Sequence, residues 1–181
     1  KNQLKYDLAC GNNKQKAFIG VDIVGKPDSQ AEIVWDLMKF PWEFAEDNSV
    51  DEIFCSHFLE HIPHGNSYND PLFNFMDEIY RILKPKGIAR FVCPYYTSVR
   101  AFQDPTHLRF ISEPMFSYFN KDWRKINKLE HYPVTCNFNI VKLDHAVSEE
   151  YTGRAQDAIA YSAIHMWNVI MDIMVTLKKL K

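Results

Sequence analysis

The sequence predicts an α/β fold: a doubly wound, mostly parallel sheet that closes on an antiparallel hairpin and is followed by a long C-terminal helix. Three observations predict it. The first half alternates short apolar runs, each four to eight residues long, with polar connectors. A strongly amphipathic helical pattern stands between the fourth run and the fifth, as a parallel crossover requires. Two alternating segments then precede a last stretch of helical spacing. With 181 residues and 46% hydrophobic content, one domain is expected, divided into a half at 4–93, a loop, short helix and hairpin at 94–150, and the helix at 154–181.

The runs "LKYDLAC" (4–10), "AFIGVDI" (17–23), "AEIVWDL" (31–37) and "SVDEIFCS" (49–56) are rich in β-branched or aromatic residues and bounded by Gly, Asn, Pro or Asp, so they read as strands. In "DPLFNFMDEIYRILKPKG", Leu72, Phe75, Met76, Ile79, Ile82 and Leu83 recur at helical spacing. Asp70 and Pro71 open the helix, and Lys84-Pro85 with Gly87 closes it. "IARFVCP" (88–94) is apolar enough for a strand covered on both faces. The stretch 95–109 is a polar, aromatic loop, and Ser112, Glu113 and Pro114 open a short helix. "RKINKLEHY" and "TCNFNIVKLDHAV" read as the antiparallel pair. From Arg154 on, Ile159, Ile164, Trp167, Ile170, Ile173, Met174 and Leu177 fall on one broad helical face, which would cover the sheet or a second copy in a homodimer.

Composition narrows the classes of function. The formal charge of −2, with charges alternating in sign, offers no basic face for a phosphate backbone and disfavours nucleic acid as partner. Cys10, Cys55, Cys93 and Cys136 are far apart with no C-x-x-C spacing, which fits reduced thiols in a cytoplasmic protein. No 18-residue apolar run and no charged-then-apolar leader occurs, so neither a membrane span nor a secretory signal is expected. The basic end "LKKLK" carries too few charges to argue for an anionic membrane surface.

In open α/β sheets ligands bind outside the carboxyl ends of the strands, so the residues there matter most. Asp22 closes the second run, and one carboxylate can accept from both hydroxyls of a ribose. Asp36 closes the third and could accept from an exocyclic adenine amine. Gly11 permits close backbone approach at the first turn.

Together "YDLACGNN", "IGVDI", "VWDLMKFPWEFAEDNSVDEIFCSHFLEH" and "EIYRILKPKGIARFVCP" resemble the class I S-adenosylmethionine-dependent methyltransferases over roughly residues 4–93. The resemblance implies a Rossmann-like fold, S-adenosylmethionine as cofactor and methyl transfer as activity. It implies that Asp7, Ala9 and Gly11 lie near the methionine portion, Asp22 and Ile23 at the ribose, and Asp36 and Leu37 at the adenine. Ser56, His57 and the segment to His61 would line the cofactor's open side. The sequence departs from the family's glycine-rich first motif: its three places hold Ala9, Gly11 and Asn13, and the six residues between Gly11 and Phe18 are too few for a crossover helix. A nicotinamide dehydrogenase is disfavoured for the same reason, because a pyrophosphate needs G-x-G-x-x-G opening a helix.

Two further readings compete. "HFLEH" (57–61) has the H-x-x-E-H spacing of a zinc hydrolase, but that set works only on a helix, and Pro63 leaves little room for one. No metal is expected. A binding module that keeps the fold without catalysis is the other alternative. On the acceptor side, Tyr95 and Tyr96 stand at the mouth, and "QDPTHLRF" places Asp104, His107 and Arg109 in one loop. His107, with His61 or His57 as substitutes, could take a proton from the acceptor, and Arg109 could hold an acidic group in two contacts. A near-neutral chain with an aromatic loop suggests a small-molecule or sugar acceptor.

Overall fold

The computed structural model describes residues 3–66 and 68–181. Seven strands form one sheet: β1 (Lys5–Leu8), β2 (Ile19–Asp22), β3 (Ile33–Val34), β4 (Val50–Ser56), β5 (Leu83–Pro94), β6 (Phe138–Val147) and β7 (Ile170–Lys179). Their order is β3-β2-β1-β4-β5-β7-β6. The first five are mutually parallel, while β7 runs antiparallel to both β5 and β6. The order reverses at β1, so the ends of β1 and β4 flank the point where such sheets bind ligands.

The crossover from β4 to β5 is helix α1 (Pro71–Ile82). Asp70 caps it, accepting from the Leu72 N–H at 2.9 Å, and Pro71 occupies the first turn, where no N–H is needed. Its buried face, Leu72, Phe75, Met76, Ile79 and Ile82, packs on Ile53, Ala89 and Phe91 of the sheet's core. The helix stops because Pro85 excludes helical geometry at Lys84, and β5 begins at Leu83. The pairing passes from Val50 opposite Leu83 to Glu52 opposite Ile88, so Lys84 to Gly87 bulge out. A side chain at Gly87 would meet the Lys84 carbonyl at 2.9 Å.

The connections from β1 to β2 and from β2 to β3 contain turns and no helix, as their length requires. After β5 come α2 (Arg100–Gln103), α3 (Glu113–Ser117), α4 (Lys121–Ile126) and, between β6 and β7, α5 (Gln156–His165). One sheet face is buried by Tyr6, Leu8, Ile53, Cys55, Ala89, Phe91, Ile173 and Val175. On the other, Arg90 lies over Phe18 and Phe54 and pairs with Glu52 at 2.7 Å, leaving a half-buried layer. Among the described residues, no helix is long and apolar enough to cross a membrane.

Two expectations are corrected. "RKINKLEHY" does not form a strand: its first three residues belong to α4, whose cap Asn120 accepts from the Trp123 N–H at 2.8 Å. The long C-terminal helix over 154–181 does not form either. It stops at His165, Asn168 turns the chain at φ 62, and β7 follows. Ile170, Ile173, Met174 and Leu177 fit helical spacing, but Ile173, Val175 and Leu177 alternate with half-buried Met174 and Thr176 as a strand demands. Pairing decides: β5 would otherwise present unbonded backbone along Ile88–Pro94, and β7 satisfies it residue by residue. The hairpin partner of β6 is therefore β7, and the helical face proposed for a homodimer does not exist.

Candidate active site

The carboxyl ends of β1, β2, β4 and β5 open on one edge of the sheet. At β1, Asp7 is only 2% exposed and accepts from the Gln15 N–H at 2.7 Å. Burial pushes its carboxyl up to about 6, with the Gln15 N–H, Lys14 and Arg90 pulling the other way. The turn that follows holds Ala9 and Gly11 at φ 54 and 49, a conformation that costs a non-glycine residue about 1 kcal/mol or more. A side chain at Gly11 would enter open space, so its backbone borders a vacant surface.

Asp22 ties the two turns together: Oδ2 accepts from the Gly11 N–H at 2.9 Å and Oδ1 from the Val24 N–H at 3.2 Å. Each oxygen keeps a further lone pair. Ile23 beside it is 64% exposed, a flat apolar surface next to a carboxylate. Asp36 is exposed and closes its own turn on the Met38 N–H at 2.9 Å. Leu37, in contrast, turns its side chain into the core and accepts from the buried Trp42 Nε1 through its carbonyl.

At the end of β4, Ser56 is half-buried and His57 sits at φ 54 with its N–H donated to the Val92 carbonyl at 2.8 Å. Leu59–His61 make a single 3-10 turn, so His57 and His61 are not one helical turn apart on a shared face, and the H-x-x-E-H donor set is not assembled. Glu60 instead drops inward. It is 1% exposed, its carbonyl accepts from the Leu108 and Arg109 N–H groups, and neither carboxylate oxygen has a hydrogen-bond donor. His57 Nδ1 approaches Oε1 at 3.3 Å without hydrogen-bond alignment, and this neighbouring carboxylate raises the His57 pKa above its ordinary value.

The acceptor loop folds back onto this turn. Asp104 accepts from the Thr106 N–H at 2.8 Å and from its hydroxyl at 2.7 Å, which hold its carboxyl below the usual range. Thr106 Oγ1 also meets His61 Nδ1 at 3.0 Å, and the His61 and His107 rings pack edge to face at 4.7 Å. Arg109 is not available for a two-pronged substrate contact: its guanidinium donates to the Ile62 and Pro63 carbonyls and to Asp70, anchoring the loop to the cap of α1. Tyr95 is buried with its hydroxyl on Glu113 at 3.0 Å, and Tyr96 is exposed beside it.

Glu113 and His145 were not singled out by sequence. His145 Nε2 lies 2.6 Å from Glu113 Oε1, and with Tyr95 and Tyr96 they line a cavity of about 740 Å³ roofed by α5. Glu113 looks like an ordinary first-turn acid, and His145 like one polar residue among several in a strand. Only the folding of β6 beside β7 brings them together.

Residues 7–91, covering β1 to β5, match a family model described as a methyltransferase domain. Over these residues the chain is similar to that domain, and its sheet order is that of a methyltransferase fold. No curated protein matches it by sequence. Among solved structures it is similar to an S-adenosylmethionine-dependent methyltransferase from Archaeoglobus fulgidus, at 18% identity and TM-score 0.64, over 98% of this chain and 86% of that one. A second, from Methanosarcina mazei, shares 16% identity at TM-score 0.59, over 99% and 94%. A third, from Mesorhizobium loti, shares 14% at TM-score 0.55, over 98% and 91%. At such identities the likeness bears on the fold.

Proposed function

We propose that this protein is an S-adenosylmethionine-dependent methyltransferase that methylates a small molecule, such as a sugar, held in the cavity between Tyr95, Tyr96, Glu113, His145 and α5. The cavity carries the reading: at about 740 Å³ it has the size of a small-molecule site and opens at the carboxyl edge, where the methyltransferase fold binds its cofactor. In this reading Asp22 accepts from the ribose, Ile23 and Asp36 border the adenine, and Asp7, Ala9 and Gly11 border the methionine portion, with Ser56 and His57 along the sulfonium side.

The sulfonium already activates the methyl group, so the protein's work is to bind, orient and exclude water. A hydroxyl acceptor must also lose a proton. Glu113 with His145 is the pair in the cavity that can take it, a role the sequence had offered to His57, His61 and His107. The net charge of −2 weighs against a nucleic-acid acceptor, and four free, buried cysteines fit a reducing, cytoplasmic setting.

Calorimetric titration with S-adenosylmethionine and with its demethylated product tests the cofactor half. Wild type is expected to bind both, and Asp22→Ala to weaken both by at least about tenfold through loss of a charge-assisted contact. No binding to correctly folded protein would favour the non-catalytic module. Release of the demethylated product across a panel of small hydroxyl and amine compounds tests the acceptor half.

A further inference from the structure

We propose that Glu60, His61 and His107 form a binding site for one divalent transition-metal ion. One ligand atom from each lies within 4.8 Å of the other two, and the three come from two separate segments, the turn after β4 and the loop before α3. These donors differ from the sequence motif, which would have paired His61 with His57.

Hydrogen bonding around the rings fixes which atoms are free. The Thr106 hydroxyl has a single hydrogen, which it donates to Asp104 Oδ1 at 2.7 Å. Its 3.0 Å contact with His61 therefore runs from Nδ1–H to Oγ1, which leaves His61 Nε2 as the ring nitrogen for a ligand bond. His107 Nδ1 lies 3.3 Å from the Ala101 carbonyl, which can only accept, so His107 likewise carries its hydrogen on Nδ1. The second nitrogens of the two rings are thus left beside a carboxylate that is 1% exposed and has no aligned hydrogen-bond donor on either oxygen, its nearest cationic neighbour being His57 Nδ1 at 3.3 Å from Oε1. Burying such a set without a cation is costly, and a metal ion satisfies all three at once.

The arrangement around the rings is that of a metal centre: each imidazole is held through Nδ1–H by an outer acceptor, and the His61 partner is itself held by a carboxylate. Two histidines and one carboxylate suit zinc, cobalt, nickel or iron(II), whereas magnesium and calcium favour oxygen ligands. Three protein ligands leave positions open to solvent or acceptor. The site does not depend on the acceptor reading given above.

The test uses full-length protein treated with chelator and titrated with Co²⁺, whose visible bands report nitrogen and carboxylate ligation, with Zn²⁺ as competitor and Mg²⁺ as control. The expected result is one equivalent of Co²⁺ bound and displaced by Zn²⁺ but not by Mg²⁺. Thr106→Val, which leaves all three ligands in place, should weaken binding about 10- to 100-fold, and Glu60→Gln and His107→Gln by more. His165→Ala, on exposed α5, should change nothing. Circular dichroism and titration with the demethylated cofactor establish that each variant is folded, independently of the metal. The proposal is overturned if folded wild type takes up no Co²⁺, or if Co²⁺ affinity is unchanged in both Glu60→Gln and Thr106→Val. An imidazolium paired with Glu60 would give the first of these results.

Discussion

Asp7 shows what burying a single carboxyl does to stability. Its carboxyl is raised from 3.8 to about 6, chiefly by burial, so the folded protein holds this proton more tightly than the unfolded chain does. The resulting stabilisation is complete below pH 3.8 and is lost as pH rises through about 6. At neutral pH the buried charge costs at most about 3 kcal/mol. Asp7→Asn keeps an acceptor for the Gln15 N–H. It is therefore expected to be more stable than wild type at about pH 7.5, to lose that advantage at about pH 4, and to bind S-adenosylmethionine less tightly. Denaturant unfolding at the two pH values checks this, and an equal gain at both would refute the assignment.

At the scale of elements, β7 links the sheet to α1. Lys179 is buried, with Nζ donating to the Tyr80 carbonyl at 2.6 Å, the Leu83 carbonyl at 2.7 Å and Asn48 Oδ1 at 2.8 Å. A cation thus meets carbonyls that the end of α1 leaves unbonded, where the helix dipole favours positive charge. Lys179→Met fills the same space but leaves those acceptors buried and unmatched. A loss of about 1–3 kcal/mol is expected in denaturant unfolding. Had 154–181 been one helix, this lysine would sit in solvent and its loss would be close to neutral.

Across the whole molecule, stability is unevenly distributed. The core runs through β1, β4, β5 and β7, whereas α5 has no buried residue, and Ile164, on that helix, is 78% exposed. Amide exchange at 156–165 is therefore expected to be far faster than in β4 and β5. An acceptor that fills the cavity under α5 should slow exchange there without changing the strands. Uniform protection across the chain would argue against α5 as the movable roof of the site.

Local chemistry made several features legible in the sequence alone: the early strands and α1, the acidic strand ends Asp22 and Asp36, and the resemblance to a methyltransferase domain that the match over 7–91 repeats. Strand-ending turns and helix caps depend on residues close in sequence, so patterns reveal them. The tertiary structure decided whether 170–179 would be strand or helix, since both periods fit and only the backbone of β5 chose between them. It decided that Arg109 anchors a loop, and that Glu113 meets His145 across an interval of 32 residues. It also set Glu60 beside His61 and His107. Each of these depends on a partner distant in sequence, so its role is fixed by which groups folding leaves paired and which it leaves bare.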